Sequence, residues 1–542
     1  MKAAIKQLLF RLPGFTGIPR KLKELDSRQA DIELLQRKFT ALLGDTAAVR
    51  ERGPDSVDRT PWAHPYLSAG NIRRFRTYSE EVWRFAAAYR RDHPAPLNCA
   101  FAVNMAQSMY KWARLARQQG AQAVLFPNTM DRSALSCPEW EDYDGEYGDI
   151  MDGEGFLATH PGLKPDVPCR HIPFDGTELY VAYRQFYEGN RAPLLRVLAA
   201  APGLRHEALV TYRGFYPSFE LAKALSAFDV IYVASTPFPA YASGKPYCVF
   251  SVGGDLQEDC GRGDDLGRAM HLSFNAARFL MVSNPHGLGH SRRLGLTNGV
   301  YVPYPMDDQR YTPGEGLARR EWEAQLGPGV FVLTATRLDD KVKGHSEGLF
   351  AALVEAARSC ESLRFVFLGW GESQAGWRRA VEEAGLQRRV LVLPPVGKKR
   401  LIDYYRSCDL VLDQLVYGYF GATALEAASV GKPVVMRLRA EQYAPLYDGD
   451  LPPVTRVDSP AEVREAIVKL ADNRGLREQT GKALRDWLVR QHGEERTAPI
   501  MLALLRVAAD QAPLPTELRN PLLDELSNDE QQYHRTCVQA RG

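Results

Sequence analysis

The sequence predicts an α/β protein built from two doubly wound domains facing a cleft, and three observations carry that expectation. From Asn98 short apolar runs alternate with helical patterns and with turns rich in Gly, Asp, Asn or Pro; from Gly329 the alternation is cleaner; a polar stretch at 305–328 separates the two series. The 542 residues correspond to about 3.6 domains at roughly 150 residues each, which excludes a single small binding module. With 45% hydrophobic, 25% charged and 10% aromatic residues, the composition is that of a packed globular protein, far from disordered or fibrous chains.

The first series opens with LNCAFAVNMAQSMYKWARLARQQGAQAVLFPN, where an apolar run at 99–103, a helical pattern, Gly120 and a second run at 123–126 make a β-α-β unit. FDVIYVAS (228–235), KPYCVFSVGGD (245–255) and RFLMVSN (278–284) repeat the buried-strand pattern of a parallel sheet. The second series runs GVFVLTATRL, LRFVFLGWG, RVLVLPPV, DLVLDQL and KPVVMRL as strands with a helical pattern between each pair. Helices are expected at 461–472, 476–491 and 495–509, and a poorly ordered tail from 510 to 542. The domain plan is therefore an extension over 1–96, partly helical, then 97–327, 328–494, a crossover helix at 495–509 and the tail.

Charge and cysteine usage narrow the class. Lys+Arg 68 against Asp+Glu 66 leaves +2, too little for a whole-chain field that holds a nucleic-acid backbone, so nucleic acid is not an expected partner. Eight cysteines without a CxxC pair exclude a zinc knuckle and a disulfide framework. No apolar run approaches the ~18 residues that span a bilayer, and Arg11 and Pro13 break the start MKAAIKQLLFRLPGF, so a reducing, cytoplasmic location is expected. Residues 1–24 carry six basic side chains (Lys2, Lys6, Arg11, Arg20, Lys21, Lys23) among apolar ones. That pattern suits peripheral contact with an anionic membrane surface, but Pro13, Gly14, Gly17 and Pro19 cut the helix short and favour a solvated helix docking on its own protein. Residues 27–52 have the spacing of an exposed amphipathic helix, and 53–96 show no clear period.

Turns at the carboxyl ends of strands are where open α/β sheets bind ligands. In the second series the first such turn, TATRLDDKVKGH, gathers Arg337, Lys341 and Lys343, cations suited to a diphosphate. The second, FLGWGES, has Gly369 and Gly371 around Trp370, which let a backbone approach a ligand or simply make a turn. The third, LPPVGKKRL, exposes backbone groups around Pro394, Pro395, Val396 and Gly397 that can read a base edge. In the fourth, DQLVYGYFGATALEAASVGKPVV, the N–H groups of Gly421, Ala422 and Thr423 open a helix and form an anion site. Glu426 follows, placed to accept from sugar hydroxyls. In the first series Asp255 of SVGGDL either orients an acceptor hydroxyl or caps a helix, and Asn104 ends the first strand turn. His286 and His290 have metal-pair spacing, but Gly287 and Gly289 argue against a helix there and no third ligand is near, so no metal is expected.

The run R…KGH, FLGWG, YYRSCDLVLDQL, YFGATALEAASVGKPVV over about 330–440 resembles the donor-nucleotide domain of GT-B glycosyltransferases, specifically the large retaining family 4 type. The likeness extends more loosely over 96–327 and 495–509. It implies a GT-B fold and transfer of a sugar from a nucleotide-sugar donor to a glycan or lipid-linked acceptor, with retention and without a metal or other cofactor. It further implies that Arg337 and Lys343 hold the donor diphosphate, that Asp255 lies near the reacting sugar, and that Gly369, Gly371, Val396, Tyr419, Gly421, Ala422 and Thr423 line the donor site. Glu426 matches the second glutamate of the family's E-x7-E motif, on the ribose; the first falls on Gly418, a departure that puts the sugar's identity in question. Gly418 also motivates a competing expectation, a non-catalytic nucleotide-sugar-binding scaffold; a third, a GT-B sugar-nucleotide epimerase, differs in its product, a new sugar nucleotide formed without an acceptor.

Overall fold

In the computed structural model, which describes residues 68–127, 133–172, 177–201, 203–205, 218–262 and 264–522, two six-stranded parallel sheets form. The first consists of β1 (Asn98–Ala102), β2 (Gln122–Phe126), β3 (Val230–Ala234), β4 (Tyr247–Phe250), β5 (Phe279–Val282) and β6 (Gly299–Tyr301), in the order β2-β1-β3-β4-β5-β6. The second holds β7 (Val330–Thr334), β8 (Leu363–Leu368), β9 (Val390–Leu393), β10 (Leu410–Leu412), β11 (Val434–Met436) and β12 (Thr455–Arg456), in the order β12-β11-β10-β7-β8-β9. Outside the edge strands β2, β9 and β12 nearly every strand residue is buried, as expected when helices cover both faces. Both sheets are thus the doubly wound kind that the apolar runs predict. β6 and β12 were not among the expected strands; at three and two residues they are too short to show a pattern.

Helix α1 (Ala69–Asp92) occupies a stretch where no period was expected. Its buried face is Ile72, Phe75, Arg76, Ser79, Val82, Trp83 and Ala86, so the helical spacing is present but two polar residues interrupt it. Each has a local reason: Arg76 pairs with Glu80 at 3.0 Å and lies over the Trp83 ring, while Ser79 Oγ accepts from the Tyr301 amide of β6 at 2.9 Å. The helix is therefore part of the first sheet's core rather than an appendage to it. The basic start at 1–24 and the helix expected at 27–52 lie outside the described residues.

α2 (Ser108–Gln118) connects β1 to β2, and α3 (Pro285–Arg293) follows β5. In the second sheet α4 (Lys398–Ser407) follows β9 and α5 (Ala422–Ser429) follows β10. α6 (Arg474–His492) and α7 (Glu494–Ala509) meet at Gly493, and α7 packs on α1, α2, β3 and β4, carrying the chain back onto the first sheet. Residues 510–522, expected to be loose, continue along that sheet: Arg278 bonds the Ala512 carbonyl and Asn520 Nδ2 donates to the Thr297 carbonyl at 2.6 Å.

The polar stretch at 305–328, expected as a simple linker, is packed in. Asp307 pairs with Arg114 of α2, Asp308 Oδ1 accepts from the Glu494 amide at 2.9 Å at the start of α7, and Met306 and Tyr311 are buried. His492, at the end of α6, ties this stretch to the second sheet's side. Its Nδ1 donates to the Tyr304 carbonyl at 2.8 Å, and its Nε2 accepts from the Tyr447 hydroxyl at 2.9 Å, which itself accepts from Tyr301 at 3.0 Å.

Phe75 is 1% exposed, so Phe75→Ala is expected to cost about 3–5 kcal/mol, read as a lower urea midpoint. An unchanged midpoint would mean that α1 is not part of the folded core. Burial pushes the His492 pKa from 6.5 down to about 4. Its contribution is therefore present above pH 6.5 and lost as pH falls toward 4, a loss of roughly 3 kcal/mol that thermal melts of the wild type and His492→Gln should resolve as different pH slopes.

Candidate functional site

β7 and β10 are neighbours although two strands, β8 and β9, separate them in sequence, so the strand order reverses between them and a crevice opens at their carboxyl ends. Past β7, Arg337 is half-exposed, 3.4 Å from Asp339 and 5.9 Å from the Trp370 ring centroid. Lys343 ends a single helical turn over 340–343, and its carbonyl accepts from the Leu415 amide at 2.9 Å, fastening the first turn to the fourth. A Cβ at Gly421 would lie 3.9 Å from Lys343 Nζ and 3.9 Å from Asp413 Oδ2. Ala422 is exposed and no side chain caps α5, so the amides of Gly421, Ala422 and Thr423 open beside Lys343. Lys341 is exposed away from any described partner.

Asp413 was not anticipated. It is 1% exposed, and neither carboxylate oxygen makes a well-formed hydrogen bond. Burial raises its pKa, opposed by the Lys343 ammonium and the amides of Gln414 and Ala424. Asp413 and Lys343 thus both lie close to Gly421 at the start of α5.

Glu426 lies deeper than expected, 1% exposed. Its Oε1 accepts from Lys398 Nζ at 2.6 Å and from Lys111 Nζ at 3.2 Å, and its Oε2 accepts from the Tyr405 hydroxyl at 3.2 Å. Burial alone would raise its pKa; the two ammonium groups outweigh that and hold it below the ordinary value. Lys111 belongs to α2 beside the first sheet, so in this structure the carboxylate joins the two halves of the molecule instead of facing an open crevice.

The third turn is also engaged from the first half. Tyr147 N–H donates to the Pro395 carbonyl at 2.9 Å, Gly397 N–H donates to the Gly145 carbonyl at 3.0 Å, and Glu146 and Val396 form an antiparallel bridge. The backbone groups expected to read a base edge are thus paired with residues 145–147. Gly369 and Gly371 serve packing: a Cβ at Gly369 would lie 2.5 Å from Val392 Cγ1, and Gly371 has φ +103° against the Leu338 carbonyl.

Gly418 has φ +74°, and a Cβ there would lie 2.5 Å from Arg439 Cγ. The motif's first carboxylate is not merely absent; the backbone is bent in a way a glutamate adopts poorly. The neighbouring Tyr419 stacks on His286 with centroids 5.5 Å apart and on Tyr417 at 5.2 Å. His286 lies on α3, a helix despite its two glycines, because Asn284 Oδ1 accepts from the Gly287 amide at 2.8 Å and Pro285 occupies the first position. His286 and His290 stand Nε2 to Nε2 at 3.0 Å and Gln257 is 2.6 Å from His286 Nδ1. Among the described residues no group of three metal-type ligands occurs.

Asp255 holds its own turn. Oδ1 accepts from Ser251 Oγ and from the Gly253 and Leu256 amides at 2.8–2.9 Å, and Oδ2 from the Val252 amide at 3.1 Å. Burial nevertheless pushes its pKa up to about 6. The carboxylate is thus engaged by its own turn, as the capping alternative expects, and Gln257, two residues on, is the side chain of this turn that touches the cleft stack. Asn104 is likewise structural, accepting from the Tyr110 amide at 2.8 Å and donating to the Ser136 carbonyl at 2.9 Å.

Residues 329–473 match the family model described as glycosyl transferases group 1. In solved structures, the fold resembles Anabaena HepE in complex with UDP and glucose (TM-score 0.51, 13% identity, 77% of this chain and 100% of that one). It also resembles TarM (TM-score 0.50, 10% identity, 76% and 99%). The chain has the GT-B fold, and residues 329–473 of its second half are similar to group 1 glycosyl transferases. Among curated proteins, this GT-B chain is 35% identical over 147 residues to D-inositol 3-phosphate glycosyltransferase of Rhodococcus jostii, covering 26% of this chain and 32% of that protein. It is 31% identical over 221 residues to the Actinosynnema mirum protein of the same name, covering 39% and 52%. The chain thus spans about a third to a half of the length of these relatives.

The residues missed by reading the sequence are Lys111, Lys398 and Asp413. Lys111 carried a usable signal, a charged side chain in the midst of a helix whose neighbours are apolar; Asp413 likewise ends a buried apolar strand. Glu426→Ala would leave two buried ammonium groups without their partner, and is expected to destabilise by about 3–5 kcal/mol in urea unfolding. Because Glu426 is held below its ordinary value of 4.5, the stability it gives is present above pH 4.5 and lost as pH falls below it. A variant as stable as wild type at pH 7 would overturn this role.

Proposed function

We propose that this protein is a glycosyltransferase that moves a sugar from a nucleoside-diphosphate sugar to a hydroxyl of a glycan or lipid-linked saccharide, with retention. The observation that carries the reading is the convergence of Lys343, the half-exposed Arg337 and the uncapped N-terminus of α5 at the reversal of strand order. Such a constellation neutralises a departing diphosphate and takes over the task of a divalent ion. The bond between the anomeric carbon and the diphosphate breaks, nucleoside diphosphate leaves, the acceptor oxygen bonds the same face, and its proton passes to the departing phosphate oxygen. Arg337, Lys343 and the amides at 421–423 are the residues assigned to that step. An acceptor class suggested by the curated relatives' name is an inositol phosphate; the motif resemblance favours a surface polysaccharide or glycoconjugate precursor. The setting would be the cytoplasmic side of a membrane; no described helix is long and apolar enough to cross one.

Gly418 and the lysine-capped Glu426 favour a second reading, a nucleotide-sugar-binding scaffold without turnover. Incubating the protein with UDP-, GDP-, ADP- and TDP-sugars and acceptor extracts separates the two. The transferase reading expects nucleoside-diphosphate release that Lys343→Ala reduces by about 100-fold, in line with loss of one charge-stabilising donor. Saturable binding with no release from any donor would sink it in favour of the scaffold.

A further inference from the structure

The pairing of residues 143–147 with the third turn has more consequence than a simple interdomain contact. These residues belong to an insertion after β2 with its own small core of Ala134, Trp140, Ile150 and Phe156, against which Trp370 of the second turn also packs. The insertion is fastened to the first half: Gln107 Nε2 donates to the Leu135 carbonyl at 2.9 Å, Asn104 Nδ2 to the Ser136 carbonyl at 2.9 Å, and Arg310 to Asp142 Oδ1 at 2.9 Å. From that anchor the strap reaches over 395–397 with two main-chain hydrogen bonds and one antiparallel bridge. The third turn is shaped to receive it. A Cβ at Gly397 would clash with the Tyr143 carbonyl oxygen, although Gly397 itself has φ −60° and needs no glycine for its own backbone. Asp144 lies 3.7 Å from Lys399.

We propose that strap 143–147 is a gate over the nucleoside end of the donor site: strap and base compete for the same hydrogen-bonding groups at Pro395 and Gly397. This rests on the transferase reading, which places the diphosphate beside Lys343 and the base at the third turn. A strand-like pair of main-chain bonds satisfies these groups while no nucleotide is bound, and a base edge that offers equivalent partners replaces it. The measured affinity for nucleotide is then the intrinsic affinity reduced by the fraction of molecules in which the strap is off. The diphosphate end, at Arg337 and the start of α5, is not covered by the strap, so the nucleotide can engage by its phosphates before the base displaces it.

The test locks the strap. Glu146 and Val396 are bridge partners, whose Cβ atoms in an antiparallel pair stand about 4.5–5.5 Å apart, within reach of a disulfide after small adjustment. The double variant Glu146→Cys/Val396→Cys is oxidised, the cross-link is verified by mass, and UDP, GDP, ADP and TDP are titrated by calorimetry into the oxidised and reduced forms and into wild type. The gate predicts at least tenfold weaker binding of the preferred nucleotide in the oxidised form, restored by reductant. It further predicts that hydrogen exchange of the Tyr147 amide quickens when the nucleotide is added to wild type. Asp144→Lys, which sets like charges against Lys399 outside the donor site, should tighten binding two- to fivefold. Equal affinity of the oxidised and reduced forms for a nucleotide that wild type binds would overturn the gate alone. Failure of the cross-link to form would also overturn it. Wild type that binds none of the four nucleotides would overturn the transferase reading and the gate together.

Discussion

The buried carboxylate of Glu426 is the interaction around which the two halves of this molecule are arranged. It draws Lys398 from the start of α4, Tyr405 from the same helix and Lys111 from α2, on the other side of the cleft, onto one pair of oxygens. An isolated charge at that depth would be prohibitively costly, and so would either lysine. Together they are mutually compensated, and the compensation requires the halves to stand in one relation. The Tyr301–Tyr447–His492 chain also crosses the junction, and Arg114 pairs with Asp307 in the stretch that joins the halves.

This arrangement alters what the family motif means here. A glutamate in the second position of E-x7-E is present, yet its oxygens already have donors, and the first position is a glycine whose positive φ and proximity to Arg439 leave no room for a side chain. Other polar groups lie near that position: Asp413 is close to Gly421, and His286, Tyr419 and Tyr417 form a stack that Gln257 touches. By contrast, Lys343 and the start of α5 do lie together, because a helix N-terminus and a cation on neighbouring turns need only the ends of two adjacent strands to bring them close.

The parts legible in the sequence were those whose signal is local. Buried parallel strands read as apolar runs, their turns as Gly, Asp and Pro clusters, and the helix after β10 as a glycine followed by Ala-rich spacing. Helix α1 was missed because Arg76 and Ser79 sit in its buried stripe, and their partners, Trp83 and the Tyr301 amide, come into view only when the chain is folded. α3 was misjudged from Gly287 and Gly289, since helix propensity is a weak prior and a side-chain cap with Pro at the first position outweighs it.

By itself the sequence determined the two doubly wound sheets, the order of their strands along the chain and which strand ends carry cations, glycines and a helix start. All of these follow from the spacing of residue types over fewer than about twenty positions. Tertiary structure alone decided that Glu426 is shared with Lys111, that Asp255 closes its own turn, and that the third turn is paired with residues 145–147. The reason is physical: a carboxylate or a backbone amide is recognised by whichever complementary group lies within about 3 Å, and that neighbour can be hundreds of positions away in the chain.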